Sequence, residues 1–261
     1  MRPRLPWLRE RACVAERIDD PESDRQMLEQ TLRQFALVNL LFARTRYLLR
    51  RHVMSVVRKR DERLYRVADL GAGACETATW LIQHAARSGL RIEVTAYDHD
   101  PRVVAYARRQ YGHVAGLSIV EANVLDVDFR PVPDFVFGSH LLHHLDDAQC
   151  ERLIARLSSL PACGILLSDL QRSAMAYAAY AVLALPFQSS FARQDGLLSI
   201  RRGFRTGELQ TLVDRAAADP GAWRVRRLFP FRVVLARESE GLAEKRSRGK
   251  RTAAVPQGTL R

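Results

Sequence analysis

Residues 67 to 77 read Val-Ala-Asp-Leu-Gly-Ala-Gly-Ala-Cys-Glu-Thr, and no other stretch constrains the fold as much. An apolar entry ends on Asp69, Gly71 and Gly73 follow, and residues 77 to 87 then carry helical spacing, so a strand runs through a tight turn into a helix. Glycine tolerates positive φ and has no Cβ, which lets the backbone turn sharply and lie close to a ligand. The helix start adds free N–H groups. A bare Gly-x-Gly also serves purely conformational turns, so its meaning depends on the rest of the chain.

Beyond this turn, strand and helix alternate. Strands are predicted at residues 64–70, 91–97, 117–121, 135–138 and 164–168, with helices at 77–88, 101–110 and 146–158 between them. This spacing implies βαβ units and an α/β, Rossmann-like, mostly parallel sheet with helices on both faces. After Asp169 the rhythm breaks into an insertion, residues 170–203, holding an Ala/Tyr/Leu helix and a polar loop Arg193-Gln-Asp-Gly. A helix from Thr206, capped by that threonine, and an antiparallel strand pair at 223–227 and 231–236 complete the fold.

Polar residues close successive strands, and ligands of such sheets sit at the carboxyl ends. Asp69 ends the first strand and Asp98 the second; Asn123 follows the third, and Gly138, Ser139 and His140 follow the fourth. Asp98 is placed either to accept hydrogen bonds from a ribose diol or to cap the helix that begins near Pro101.

These stretches resemble the class I S-adenosylmethionine-dependent methyltransferases over residues 64 to 236. Val67-Ala-Asp-Leu-Gly-Ala-Gly-Ala-Cys looks like the first motif of that family, Thr95-Ala-Tyr-Asp-His-Asp-Pro the second, Glu121-Ala-Asn-Val the third, and the segment from Asp134 through His143 and His144 to Leu145 the fourth. The resemblance implies a seven-stranded sheet with an antiparallel last strand. It implies S-adenosyl-L-methionine as cofactor, with S-adenosyl-L-homocysteine as product. Gly71 and Gly73 would flank the methionine part and Asp69 its amino end. Asp98 would take the ribose hydroxyls, His99, Asn123 and Val124 the adenine, and Ser139 and His140 would face the methionine moiety. Cys75 stands where the family usually has glycine, and Asn123 where it often has aspartate; cysteine is small, and the amide oxygen of asparagine still accepts a hydrogen bond. A dinucleotide oxidoreductase would want phosphate-binding donors at the turn, whereas an acid-lined site suits a sulfonium.

A phenol titrates near pKa 10, so its methylation gains from a base poised near neutrality. His143 and His144 follow the fourth strand and are the candidate bases; each is also readable as a turn-packing histidine. Asp169, ending the fifth strand, either orients a histidine, meets the acceptor or caps the next helix. Tyr177 and Tyr180, with Leu183, Leu185, Phe187 and Phe191, read as an acceptor lining or as the core of an added helix. The run Asp169-Leu-Gln-Arg-Ser, with the later Asp195-Gly-Leu-Leu-Ser-Ile-Arg-Arg-Gly-Phe, resembles bacterial methyltransferases of polyketide and phenolic-lipid pathways.

The remaining composition bounds the partners. Hydrophobic residues make up 47% of the 261, enough for a real core, and the net charge is +12. Residues 1–23 make a poor folding unit, and 24–60 read as two helices carrying Arg44, Arg46, Arg50, Arg51, Arg58, Lys59 and Arg60. These arginines read as solvated faces, or as contacts to nucleic acid or an anionic membrane surface. They do not alternate with aromatics as a stacking platform would, so nucleic acid is not favoured. Cys13, Cys75, Cys150 and Cys163 show no metal spacing, which implies a reduced, intracellular protein without a metal. The apolar run 174–187 falls short of the roughly 20 residues a bilayer needs. The expectation is a soluble, cytoplasmic enzyme with an N-terminal helical extension (1–63), a methyltransferase domain (64–237) and a disordered basic tail (238–261). Its acceptor is expected to be a small aromatic or quinone-like molecule methylated on oxygen; the alternatives are an RNA or protein methyltransferase and a non-catalytic cofactor-binding protein. Oligomeric state is not readable from the sequence.

Overall fold

Apolar runs such as Val67-Ala68 and Phe135-Val136-Phe137 are buried, the pattern expected when helices cover both faces of a parallel sheet. The computed structural model describes residues 6–54, 57, 63–187 and 190–238. Among them β1 (Leu64–Leu70), β2 (Arg91–Asp98), β3 (Leu117–Glu121), β4 (Phe135–Ser139), β5 (Gly164–Leu170), β6 (Trp223–Leu228) and β7 (Arg232–Glu238) form one sheet. Its order is β3-β2-β1-β4-β5-β7-β6. The first five strands pair parallel, and β7 runs antiparallel to both β5 and β6. Register sets Leu70 beside Gly138 and Ser139 beside Ser168. Polar strand ends therefore line one edge of the sheet, at the switch point where β1 meets β4.

The helices are α1 (Arg25–Val38), α2 (Thr45–Leu49), α3 (Glu76–Ala86), α4 (Pro101–Tyr111), α5 (Asp147–Ser158), α6 (Ala174–Leu183), α7 (Ala192–Arg202) and α8 (Thr206–Ala216). Leu153, Ile154 and Leu157 of α5 and Leu209, Leu212 and Val213 of α8 pack on one face of the sheet. Leu48, Leu49, Ala78, Leu81 and Ala85 pack on the other. Beyond α1 the chain continues as a π-helical turn, Asn39–Ala43, and breaks at Arg44, whose φ of 54° is left-handed. None of the helices is long and apolar enough to cross a membrane among the described residues.

Several local expectations need correction. The stretch Arg193-Gln-Asp-Gly is the first turn of α7, not a loop, and Asp195 and Gly196 within it are buried. Glycine at 196 makes this possible, since a Cβ there would lie 2.2 Å from the Tyr180 ring. Thr206 is the first residue of α8 rather than its cap; the Glu208 carboxylate accepts the Arg205 N–H at 2.8 Å and so fixes the cap one residue earlier, at Arg205. Residues 6–23 do not stand apart. The Arg17 and Ile18 N–H groups donate to Asp195 at 3.0 and 2.9 Å, and Arg11 donates to the carbonyls of Arg202 and Leu145 at 2.9 and 2.7 Å. The segment thereby lies as a strap over α7. Val56, Arg58, Lys59, Arg60 and the tail beyond Glu238 fall outside the described residues.

Gly196→Ala should lower stability by about 1–3 kcal/mol, the usual cost of overpacking. A urea midpoint unchanged from the parent would refute the tight α6–α7 contact.

Candidate active site

The turn after β1 holds three residues in left-handed conformation, Gly71 (φ 63°), Gly73 (φ 55°) and Cys75 (φ 66°). Gly71 also needs its missing side chain, because a Cβ there would sit 3.0 Å from Leu141 Cδ1. Two hydrogen bonds draw the turn onto the end of β2: the Ala72 N–H donates to the Tyr97 carbonyl at 3.0 Å and the Gly73 N–H to Asp98 Oδ2 at 2.9 Å. Asp98 Oδ1 accepts the Asp100 N–H at 3.1 Å. The cap of α4 is Asp100, which accepts the Arg102 N–H at 2.8 Å, so Asp98 is free of that duty.

A cavity of about 590 Å³ opens above this edge, within the range of small-molecule sites. Asp69, Gly71, Gly73, Asp98, His99, Asn123, Val124, Ser139, His140, His143, His144 and Tyr180 line it; Cys75, Asp169 and Tyr177 do not. Cys75 is buried beneath the turn, its thiol pushed up by burial and by the negative charge of Asp69 and Asp98. Tyr177 instead meets the edge of Trp7, ring centroids 4.7 Å apart. Asn123 Oδ1 accepts the Leu125 N–H at 3.0 Å.

Acidic groups gather at one end. Burial pushes the Asp69 carboxyl well up, helped by the charges of Asp98 and Glu76. Burial also raises Asp98, despite its two N–H donors. Such a cluster is a receptor for a cation. His140 belongs to a different network. It has a left-handed φ of 61°, and its Nε2 accepts from Arg232 at 2.5 Å. Burial and the Arg232 charge hold it well below its ordinary value, hence neutral.

The two histidines after β4 differ in their supports. His143 is buried; its N–H donates to Asp169 Oδ2 at 3.0 Å and its Nδ1 lies 2.7 Å from Asp169 Oδ1. Although burial opposes ionisation of Asp169, the charge and hydrogen bond of His143 hold its carboxyl far below the usual range. Asp169 engages Nδ1, so Nε2 is the ring nitrogen that this carboxylate does not hold. Nε2 stands 3.6 Å from Glu16 Oε1. His144 Nδ1 lies 3.2 Å from Asp19 Oδ2. Burial would lower His144, but the Asp19 hydrogen bond and the Glu16 charge outweigh it and lift the imidazole to about 8.

Glu16, Asp19 and Arg232 are not singled out by the sequence. Glu16 and Asp19 reach the cavity only because the strap docks over α7, and nothing in their local pattern signals it. Arg232 does leave a signal, as a lone cation opening the apolar run Val233-Val-Leu-Ala, since a charge in such a run needs a buried partner.

Residues 67–164 match the family model of a methyltransferase domain. No curated protein matches the chain in sequence. Among solved structures, the plantazolicin methyltransferase BpumL in complex with SAH is similar over 85% of this chain and 92% of its own, with 10% identity and a TM-score of 0.63. The mitomycin 7-O-methyltransferase MmcR is similar over 86% of this chain and 61% of its own, with 19% identity and a TM-score of 0.55. This chain spans about half, 47%, of the length of human N-acetylserotonin methyltransferase, with 66% of this chain covered, 18% identity and a TM-score of 0.47. Sheet order and turn geometry are those of the Rossmann-like methyltransferase fold, and the family model matches within it. The matched methyltransferase domain runs from Val67 to the start of β5.

Asp169→Ala would leave the buried His143 backbone N–H and Nδ1 without their acceptor, and should cost about 1–3 kcal/mol for each unpaired group. Chemical denaturation checks this; a loss under about 1 kcal/mol, the scale of an exposed pair, would contradict the geometry.

Proposed function

We propose that this protein transfers a methyl group from S-adenosylmethionine to the oxygen of a small aromatic or quinol-type acceptor, with His143 as general base. The observation that carries it is the clamp on His143. One carboxylate takes both its backbone N–H and its Nδ1, leaving Nε2 as the second ring nitrogen, 3.6 Å from Glu16 of the cavity wall.

The acidic end of the cavity suits the cofactor, because buried carboxylates with raised pKa values gain from a cationic ligand. When bound, S-adenosylmethionine supplies an activated sulfonium methyl group. Asp98 keeps lone pairs beyond the two it gives to N–H groups, and these accept from the ribose hydroxyls. Asp69 orders the amino end, Gly71 and Gly73 let the backbone approach, and His99, Asn123 and Val124 form the adenine wall. The acceptor lies against Leu32, Phe35 and Val38 of α1, with Tyr180 and Ile200 opposite. The protein's tasks are to hold the acceptor oxygen about 3–3.5 Å from the methyl group and to remove its proton. The proton passes to His143 Nε2, and Asp169 stabilises the resulting imidazolium.

Asp98→Ala should weaken S-adenosylhomocysteine binding about 10- to 100-fold, the worth of hydrogen bonds to a charged group. Calorimetry with equal affinity for both proteins would remove Asp98 from the site. Affinity for S-adenosylmethionine, which carries the sulfonium charge, should also depend on pH. A cationic ligand binds the ionised carboxylates, so affinity is full above their raised values and declines as pH falls through them, beginning above the ordinary 3.8.

With labelled methyl donor and a panel of phenols and quinols, His143→Gln should lower turnover by about 10²–10⁴, the usual worth of a general base, with cofactor affinity retained. Cofactor binding without turnover on any phenol, quinol, peptide or RNA would sink the catalytic reading in favour of a binding protein.

A further inference from the structure

The strap and the turn after β4 bring together three ligating groups, of which the proposed methyl transfer uses only one, His143. Glu16, His143 and His144 each present one ligand atom, and all three atoms lie within 4.8 Å of one another. Glu16 and His143 are buried and His144 is half-buried. One leg joins His143 Nε2 to Glu16 Oε1 at 3.6 Å. Donors held about 2.0–2.2 Å from a tetrahedral zinc ion stand roughly 3.4 Å apart, so this leg needs almost no adjustment.

A second observation points the same way. Each histidine has its Nδ1 against a carboxylate, His143 against Asp169 at 2.7 Å and His144 against Asp19 at 3.2 Å. Metal-binding histidines are oriented in this manner, one ring nitrogen on a carboxylate and the other on the ion. Glu16 is braced too, since Ser199 Oγ donates to Oε1 at 2.8 Å. Two imidazoles and one carboxylate suit Zn²⁺ or Co²⁺, whereas Mg²⁺ and Ca²⁺ prefer oxygen alone.

We propose that Glu16, His143 and His144 form a three-ligand site for one divalent transition-metal ion, with its fourth position open to the cavity. The cysteines give no hint of it, because the ligands come from segments that only the tertiary fold unites. The site has a regulatory consequence, which rests on the base assignment above. The ion occupies the same Nε2 lone pair that would accept the acceptor's proton, so the metal-loaded protein methylates slowly and a chelator restores it.

The test uses the full chain, stripped by a chelator and titrated with Co²⁺ while its visible absorption is followed, with Zn²⁺ added in competition. One equivalent should bind with a tetrahedral spectrum. Asp19→Asn, which keeps all three ligands, should weaken Zn²⁺ about 10- to 100-fold, as loss of an orienting carboxylate does. His144→Gln and Glu16→Gln should weaken it more, and Asp98→Ala should not alter it. No cobalt spectrum in a folded parent, or one indifferent to both His144→Gln and Glu16→Gln, overturns the site. Methylation readings separate the two ideas. Metal binding without turnover on any acceptor leaves the site standing and removes the base, and a stripped enzyme less active than the zinc-loaded one overturns the inhibitory role.

Discussion

Asp98 accepts the N–H groups of Gly73 and Asp100, and Asp169 accepts those of His143 and Leu170. Asp195 does the same for Arg17 and Ile18. In each case a carboxylate on the sheet edge or on α7 is joined to the backbone of a loop, by a charge-assisted bond stronger than its neutral counterpart. The three walls of the cavity are therefore fixed by one kind of interaction. The glycine turn, the histidine turn and the strap are all irregular backbone, and none has a ladder of its own to hold it. Remove the carboxylates and the sheet would persist while the cavity lost its shape.

The arginines complete this scheme. Arg102 donates to the carbonyls of Ile18, Asp20 and Pro21, Arg172 to those of Leu8, Arg9 and Gly203, and Arg202 to those of Val14 and His143. Strap carbonyls that no helix or sheet satisfies thus find guanidinium donors. The fork of five N–H groups suits such a task, since one side chain can serve several acceptors. Part of the high arginine content is accounted for here, as an internal fastening for an irregular N-terminal segment.

Legibility in the sequence tracks the range of the interactions. The five parallel strands are legible to within a residue or two, because alternating apolar runs and glycine turns are local signals. The strand-end residues of the first four strands are legible for the same reason. Asp100 rather than Asp98 as the cap of α4 is a near miss, as both stand before Pro101 and only the hydrogen bonds separate them. The strap is not legible. Glu16 and Asp19 act through contacts to residues over a hundred positions away, and a polar stretch with prolines and charges looks the same whether it is docked or free. The turn at Arg193-Gln-Asp-Gly misleads for a related reason. Its glycine is there for the Tyr180 ring, a tertiary neighbour, and not for a loop.

Cys75 sits in a hazardous place for a free thiol. Its thiol is buried under the glycine turn, and on the proposed reading a thiolate there would compete for the electrophilic methyl carbon. Burial and the surrounding carboxylates keep it protonated. On that reading the acidic neighbours that would attract a sulfonium also quench a rival nucleophile, so the pocket is protected against alkylating itself.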